Sequence, residues 1–122
     1  MNIYESAEDY LEQILILLES KGYARSTDIA EALGYSKPSV SIAMKKLREN
    51  GYISMEKGGL ISLTDKGEPI ARRIYDRHLT LTKFFNSIGV DEEIARKDAC
   101  KVEHDLSEET YAAIRRHMDI GG

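Results

Sequence analysis

The 122-residue sequence predicts a mainly α fold: a winged helix-turn-helix with a two-stranded wing, followed by further helices. Three observations predict this fold. Apolar residues recur at helical spacing through most of the chain, one stretch alternates apolar and polar residues around a glycine pair, and a glycine turn separates two short helical patterns. We expect the winged helix-turn-helix at residues 1–70 and a helical domain at residues 71–122.

The first two helices are bounded by recognisable end signals. A capped amphipathic helix is predicted from the Ser-Ala-Glu-Asp stretch that starts at Ser6 to near Gly22. A second, short helix is predicted to end at Gly34, with Ser26 or Thr27 as its N-cap. The second helix is the first of the two helices that form the predicted helix-turn-helix.

The third helix and the wing complete that motif. Ser36 is predicted to cap the third helix, and Pro38 falls in its first turn, where a missing N–H costs nothing. Its predicted buried stripe consists of Val40, Met44 and Leu47. Residues 52–63 alternate on both sides of the Lys-Gly-Gly stretch at 57–59, which predicts a β-hairpin with a glycine tip.

Three helices are predicted after the wing. A long helix is expected to be capped by Thr64 and Asp65 and to stop at Gly89. A fifth helix begins near Asp91 and a sixth near Ser107, each with acidic residues in its first turn. Their apolar faces are too large to be buried on the wing alone, so we expect them to pack on a second copy of the chain.

The charges are segregated along the chain, although the net charge is only -4. Residues 1–20 carry -5, residues 21–83 carry +5 and residues 84–122 carry -4. The longest aliphatic run, residues 14–18, is far shorter than the roughly 20 apolar residues that span a bilayer. The single cysteine, Cys100, allows no internal disulfide. We therefore expect a soluble protein of the reducing cytoplasm with no membrane partner.

The basic middle coincides with the helix-turn-helix, whose second helix enters the major groove in DNA-binding proteins of this architecture. Small hydroxyls and lysines there suit contacts to base edges and phosphates, and cations on flanking loops suit phosphates. The candidate DNA-binding residues are Arg25, Ser36, Lys37, Pro38, Ser39, Ser41, Lys45, Lys46 and Lys57. The alternative is a solvated lysine face on a winged helix used for protein contacts. Helix order, wing and local charge together favour DNA.

Carboxylates, imidazoles and the thiol provide three groups of possible metal ligands. The candidates are Asp9, Glu12, His78, Cys100, Glu103 and His104. The first two share a face of the first helix, and the last three share a face of the predicted fifth helix. Such a mixed set suits a divalent transition ion better than Mg2+ or Ca2+. Taken singly, each also has a structural explanation: helix-dipole acids, a partly buried histidine and a small core cysteine.

Seven short segments decide between these explanations. They are EDYLEQI at 8–14, KGYAR at 21–25, DIAEAL at 28–33, PSVS at 38–41, RH at 77–78, IGVDEE at 88–93 and VEHDLS at 102–107. In this order they resemble the diphtheria-toxin-repressor family of metal-dependent repressors, most closely its short manganese-transport-regulator branch. Members of that family are dimeric winged-helix proteins, activated by Mn2+ or Fe2+, which repress metal-uptake genes. The resemblance implies that residues 71–122 form a metal-binding and dimerisation domain.

The resemblance also implies a ligand set of Asp9, Glu12, His78, Glu103 and His104. Cys100 stands where the manganese branch has glutamate and the iron branch has cysteine, whereas Asp9 stands where the iron branch has methionine. A thiolate favours Fe2+, Co2+ or Zn2+ and carboxylates favour Mn2+, so we expect Fe2+ or Mn2+, with a slight preference for iron. We also expect one ion per chain, and binding of Co2+, Zn2+ or Ni2+ in vitro.

The expected function follows from these residues. We expect a repressor that binds double-stranded operator DNA as a homodimer when its metal is bound. The alternative is a winged-helix regulator that senses an organic ligand in its helical half. No nucleophile–base pair, phosphate-binding glycine loop or cofactor motif is present in the sequence, so we do not expect an enzyme.

Overall fold

The computed structural model describes residues 5–119, with side chains from residue 6 onward. Residues 1–4 and 120–122, at the outer ends of the two expected domains, lie outside the described part. The elements within it are α1 (Glu5–Lys21), α2 (Ser26–Leu33), α3 (Lys37–Glu49), β1 (Ile53–Met55), β2 (Ile61–Leu63), α4 (Glu68–Ser87), α5 (Glu92–Val102) and α6 (Glu108–Asp119). This order confirms the mainly α fold with a two-stranded wing. The chain divides into an N-terminal unit, residues 1–73, and a C-terminal unit, residues 74–122.

The helix-turn-helix forms around the predicted apolar stripe of α3. Val40, Met44 and Leu47 are all buried, together with Ile29 of α2. Gly34 closes α2 in the left-handed region at φ 72°, where a side chain other than glycine is disfavoured. The turn between the helices is therefore tight enough to hold α3 against the body of the N-terminal unit.

The predicted cap of α2 is wrong by one or two residues. Ser26 lies inside the helix, and Arg25 is the N-cap with an extended backbone. The carboxylate of Asp28 accepts the backbone N–H of Arg25 at 3.1 Å. This return bond from the third helical residue fixes the start of α2, so neither Ser26 nor Thr27 serves as the cap.

The wing is the predicted hairpin, with Ile53 opposite Leu63 and Met55 opposite Ile61. The backbone N–H of Ile61 also donates to the carbonyl oxygen of Ala24 at 2.8 Å, which ties the hairpin to the segment before α2. The wing is thereby attached to the same body as α3.

The start of α4 differs from the prediction. The hydroxyl of Thr64 donates to the carbonyl oxygen of Gly51 at 2.6 Å and accepts the N–H of Gly67 at 3.2 Å, so residues 64–67 form a turn and the helix begins at Glu68. Gly67 is buried, and a Cβ added there would lie 2.1 Å from the carbonyl oxygen of Tyr52. Only glycine allows this close approach.

In the C-terminal unit, α6 runs beside α4. The hydroxyls of Thr80 and Tyr111 are 3.3 Å apart, and the rings of Phe84 and His117 are 6.1 Å apart. The last two helices begin next to the predicted positions, at Glu92 and Glu108, and side chains cap both: Asp91 accepts the N–H of Glu93 at 3.2 Å, and the hydroxyl of Ser107 accepts the N–H of Thr110 at 3.1 Å.

No helix within residues 5–119 has both the length and the apolar character needed to cross a membrane.

Candidate nucleic-acid interface and metal centre

One face of α3 carries the predicted DNA-binding residues on the surface of the N-terminal unit. The exposed residues at its start and along this face are Ser36, Lys37, Pro38, Ser39, Ser41, Lys45 and Lys46. Because the apolar stripe of α3 packs into the core, these side chains point away from the core. The face is therefore basic, hydroxyl-rich and accessible.

Two serines at the start of α3 are already engaged with each other. The hydroxyl of Ser36 accepts the N–H of Ser39 at 3.3 Å and donates to the hydroxyl of Ser39 at 2.8 Å. Ser36 therefore acts mainly as the helix cap, whereas Ser39 keeps its own hydroxyl proton for an outside acceptor. The predicted role of Ser36 as the cap of α3 is thereby confirmed, and Ser39 is the better placed of the two serines for an outside contact.

An apolar residue on the same face was missed by the sequence prediction. Ile42 is 59% exposed, although it lies among polar neighbours in the middle of α3. Its position is out of phase with the buried stripe that contains Val40 and Met44, which was a usable signal. An exposed isoleucine on such a helix can contact a thymine methyl in the major groove.

The flanking cations lie at the ends of the motif. Arg25 caps α2, with its guanidinium 5.7 Å from the ring centre of Tyr23, and its side chain is exposed. Lys57 is exposed at the hairpin tip. Lys45 lies 4.0 Å from Glu49 in an exposed pair within α3, which contributes little on a solvated surface. Each of these cations remains available to a phosphate.

Helix α1 supplies two of the candidate metal ligands within the N-terminal unit. Asp9 is half-buried and Glu12 is only 7% exposed, one turn later on the same helix. A carboxylate this buried is uncommon unless something compensates its charge. Next to Asp9, burial raises the pKa of the Tyr10 hydroxyl, with a smaller contribution from Tyr35.

Three further candidate ligands lie together within the C-terminal unit. The carboxylate of Glu103 is fully buried. Its Oε2 atom is 3.1 Å from Nδ1 of His78, and its Oε1 atom is 3.6 Å from Nε2 of His104. Among the described residues, Oε1 accepts no hydrogen bond. A buried carboxylate oxygen without a hydrogen bond is costly, and a divalent cation would satisfy it, so this donor set fits a metal ion.

The end of α5 corrects one part of the sequence prediction. The helix stops at Val102, Glu103 is its C-cap, and His104 lies in the following turn rather than on helix five. The N–H of Asp105 bonds to the carbonyl oxygen of Val102 at 3.0 Å, which tightens the chain into this turn. The two ligand candidates therefore depend on a turn for their placement.

Cys100 lies on α5 one turn before Glu103 and is exposed. Its explanation as a small core residue is therefore wrong, since the neighbouring Ala99 occupies the buried position instead. Direct ligation by the thiol stays a prediction.

Arg77 is a second residue that the sequence prediction missed. Its side chain is 3% exposed, and its guanidinium donates to the carbonyl oxygens of Glu103 and Leu106 at 3.0 and 2.9 Å. The sequence held a signal, because Arg77 is in phase with Ile74 and Leu81 on the apolar stripe of α4. A cation in that phase indicates a buried, paired charge.

Two family models together match most of the chain. Residues 2–60 match the iron dependent repressor N-terminal DNA binding domain, and residues 64–119 match the iron dependent repressor metal binding and dimerisation domain.

Relatives and solved structures agree with these models. The HTH-type transcriptional regulator MntR of Lysinibacillus sphaericus is 46% identical over 115 residues, covering 94% of this chain and 81% of that protein. MntR of Bacillus subtilis is 47% identical over 102 residues, covering 84% of this chain and 72% of that protein.

The crystal structure of T. acidophilum IdeR aligns with a TM-score of 0.82 at 28% identity, over 98% of this chain and 55% of that chain. A manganese-dependent transcriptional repressor in complex with manganese aligns with a TM-score of 0.82 at 30% identity, over 93% of this chain and 52% of that chain. The chain thus spans about half the length of these two solved structures. It belongs to the iron-dependent repressor family of metal-dependent transcriptional repressors, the family that its sequence resembles.

Proposed function

We propose that this chain represses metal-uptake genes by binding double-stranded operator DNA as a homodimer when a divalent transition ion is bound. The observation that carries the proposal is the buried Glu103 carboxylate between two histidines, with one oxygen that lacks a hydrogen bond among the described residues. Membership of a family whose models describe DNA binding, metal binding and dimerisation supports it.

The proposed ligand set extends beyond the three residues that lie together. His78, Glu103 and His104 are one part of it, and Asp9 and Glu12 are proposed to complete it, as their motif implies. Cys100 is proposed as a further ligand. Fe2+ or Mn2+ is the proposed ion, with the thiol favouring iron and the carboxylates favouring manganese. When bound, the ion supplies positive charge that offsets the mutual repulsion of these acids.

The proposed DNA contacts use α3 and its flanks. Lys37, Lys45 and Lys46 are proposed to neutralise phosphates, while Ser39 and Ser41 meet base edges or phosphates. The other proposed contacts are Arg25, Ser36, Pro38 and Lys57. Phosphate contacts position the protein and make its affinity depend on salt.

The proposed coupling of metal binding to DNA binding depends on which domain each ligand comes from. The expected domains, residues 1–70 and 71–122, each contribute some of them. If residues from both domains bind the same ion, the dimer can adopt fewer conformations. Two recognition helices must enter major grooves about 34 Å apart, so fewer arrangements raise the population of the DNA-binding state.

Replacing one histidine tests this function. We expect His104→Ala to abolish Mn2+-stimulated operator binding and Mn2+-dependent thermal stabilisation while the dimer stays intact in gel filtration. His117→Ala is the matched control, because His117 is exposed on α6 and contacts Phe84. Unchanged metal stimulation in His104→Ala would contradict the proposal.

Two narrower statements belong with this proposal. A regulator that senses an organic ligand is not favoured, since the family model for residues 64–119 describes metal binding. We also infer that the chain is not an enzyme and that it acts in the cytoplasm, because its family consists of transcriptional repressors.

A further inference from the structure

Arg77 is a buried cation on the apolar face of α4. It is 3% exposed and lies between Ile74 and Leu81, which are each 1% exposed. A guanidinium stays charged at every physiological pH, so its burial is stable only when hydrogen-bond acceptors surround it. The hydrogen-bond acceptors of Arg77 therefore identify the segment that its guanidinium stabilises.

Among the described residues, the acceptors of its two Nη atoms all belong to the segment that runs from the end of α5 to the start of α6. Nη1 donates to the carbonyl oxygens of Glu103 and Leu106 at 3.0 and 2.9 Å, and Nη2 donates to Oε1 of Glu108 at 2.6 Å. The guanidinium carbon also lies 5.1 Å from the ring centre of Tyr111. One side chain thus joins the end of α5, the turn and the start of α6 to α4. Carbonyls at a helix C-terminus carry partial negative charge, which favours a cation there.

The same turn carries two proposed metal ligands. Glu103 contributes its backbone carbonyl to Arg77 and its carboxylate to His78, which follows Arg77 on α4. Neighbouring side chains on a helix point about 100° apart. Arg77 can therefore bond to the backbone carbonyl of Glu103 while His78, the next residue of α4, bonds to the Glu103 carboxylate.

We propose that Arg77 is a positioning residue of the metal centre, whose guanidinium holds the turn with Glu103 and His104 in place before an ion binds. This inference rests on the proposed function. Without the guanidinium, the carbonyls of Glu103 and Leu106 lose their partner and the turn relaxes. Ligands that must be gathered during binding bind an ion more weakly than ligands already in place.

Arg77→Lys is the first test. Lysine keeps the charge, but a single ammonium on a flexible stem cannot reproduce the planar fork that reaches three acceptors. We expect the dissociation constant for Mn2+, measured by isothermal titration calorimetry, to rise about tenfold, as for other supporting residues of metal sites. Arg73→Lys is the matched control, since Arg73 precedes it by one turn of α4 and is ion-paired with Glu8 at 2.8 Å. The control is expected to stay within about twofold of the original chain.

A second pair of variants covers the case in which Arg77→Lys does not fold. Glu108→Ala removes the third acceptor, and Glu108 is 71% exposed, so folding should tolerate the change. Glu109→Ala removes the same charge from the adjacent exposed residue. We expect Glu108→Ala to bind Mn2+ about threefold more weakly than Glu109→Ala, because only Glu108 accepts a bond from Arg77. The long-range loss of one negative charge is the same in both variants and cancels in the comparison.

The outcomes of these measurements distinguish failure of the proposed role of Arg77 from failure of the proposed function. A folded Arg77→Lys with unchanged Mn2+ affinity overturns the inference; if that variant is unfolded, equal affinities of Glu108→Ala and Glu109→Ala overturn it. A merely structural role would lower the melting temperature without changing the affinity of the folded protein. If the unaltered chain itself binds neither Mn2+ nor Fe2+, the proposed function fails, and the inference that rests on it fails as well.

Discussion

Replacing Glu103 by glutamine tests the metal site with a change of charge and almost no change of shape. The carboxylate is fully buried and lies 3.1 Å from His78 and 3.6 Å from His104. An amide keeps the volume but offers one weaker oxygen donor and no negative charge. We therefore expect Glu103→Gln to lose metal binding while the metal-free protein keeps its fold.

The magnitude follows from linkage. Residues that only support a ligand typically contribute 10–100-fold to affinity, so we take about 100-fold as the loss for a ligand itself. At a Mn2+ concentration 100 times the dissociation constant of the unaltered chain, binding stabilises that chain by about 2.7 kcal/mol and the variant by only about 0.4 kcal/mol. At about 4 °C per kcal/mol for a domain of this size, the melting temperature rises by about 11 °C and about 2 °C, respectively.

The assay is thermal unfolding with and without Mn2+, followed by circular dichroism. Glu109→Gln is the matched control, because Glu109 is exposed on α6 and should leave the full Mn2+ response. Without metal, Glu103→Gln should melt close to the temperature of the original chain, since the amide keeps the volume and can still bond to His78. A variant that Mn2+ stabilises as strongly as the original chain would refute the assignment of Glu103.

Three further predictions concern the N-terminal unit. Gly67→Ala should lower the free energy of unfolding by about 3 kcal/mol in urea titrations, because its Cβ collides with backbone. Gly34→Ala, where a Cβ meets nothing within 4 Å, should cost only about 1 kcal/mol for its left-handed φ; equal costs would contradict this account. Ile42→Ala should weaken operator binding about fivefold, and replacing one thymine by uracil should weaken it similarly in the original chain but not in the variant. Reversing the charges of Lys37 and Lys45 together should make the negative slope of log affinity against log salt shallower by about 4 for the dimer, and an unchanged slope would argue against phosphate contacts.

Short-range patterns in the sequence predicted the framework correctly. The stripe of Val40, Met44 and Leu47 follows from helical periodicity alone, and all three residues are buried. The cap at Ser36 follows from the chemistry of one hydroxyl with nearby N–H groups. These features depend on neighbours within one or two turns, which a sequence displays directly.

The cap of α2 was predicted wrongly although Arg25 and Asp28, which set it, are only three residues apart. The other errors arose where distant residues contribute to the structure. Before α4, Thr64 bonds to the carbonyl oxygen of Gly51, and at the end of α5 the carbonyl oxygen of Glu103 accepts a bond from Arg77, 26 residues away. The side-chain arrangement around Glu103 likewise brings His78 to it across a sequence separation of 25. Sequence spacing could suggest the candidate ligands only as separate groups on individual helices. The family resemblance was needed to predict that they belong to one metal site.

The exposed face of α3 shows a third kind of limit. The sequence identified its lysines and serines, and its periodicity could have shown that Ile42 is exposed. It could not show that Ser36 donates its hydroxyl proton to Ser39, or how far Ile42 is exposed, which is 59%. Both facts require the orientation of each side chain relative to the core.

The most direct measurement of the central claim is fluorescence anisotropy of an operator duplex, selected from random DNA with the Mn2+-loaded protein. The titration is made anaerobically with Mn2+ or Fe2+ and repeated after a chelator has removed the ion. We predict tight binding with either ion and a fall to the salt-sensitive, sequence-independent level without it. Full operator affinity in the metal-free protein would contradict the account.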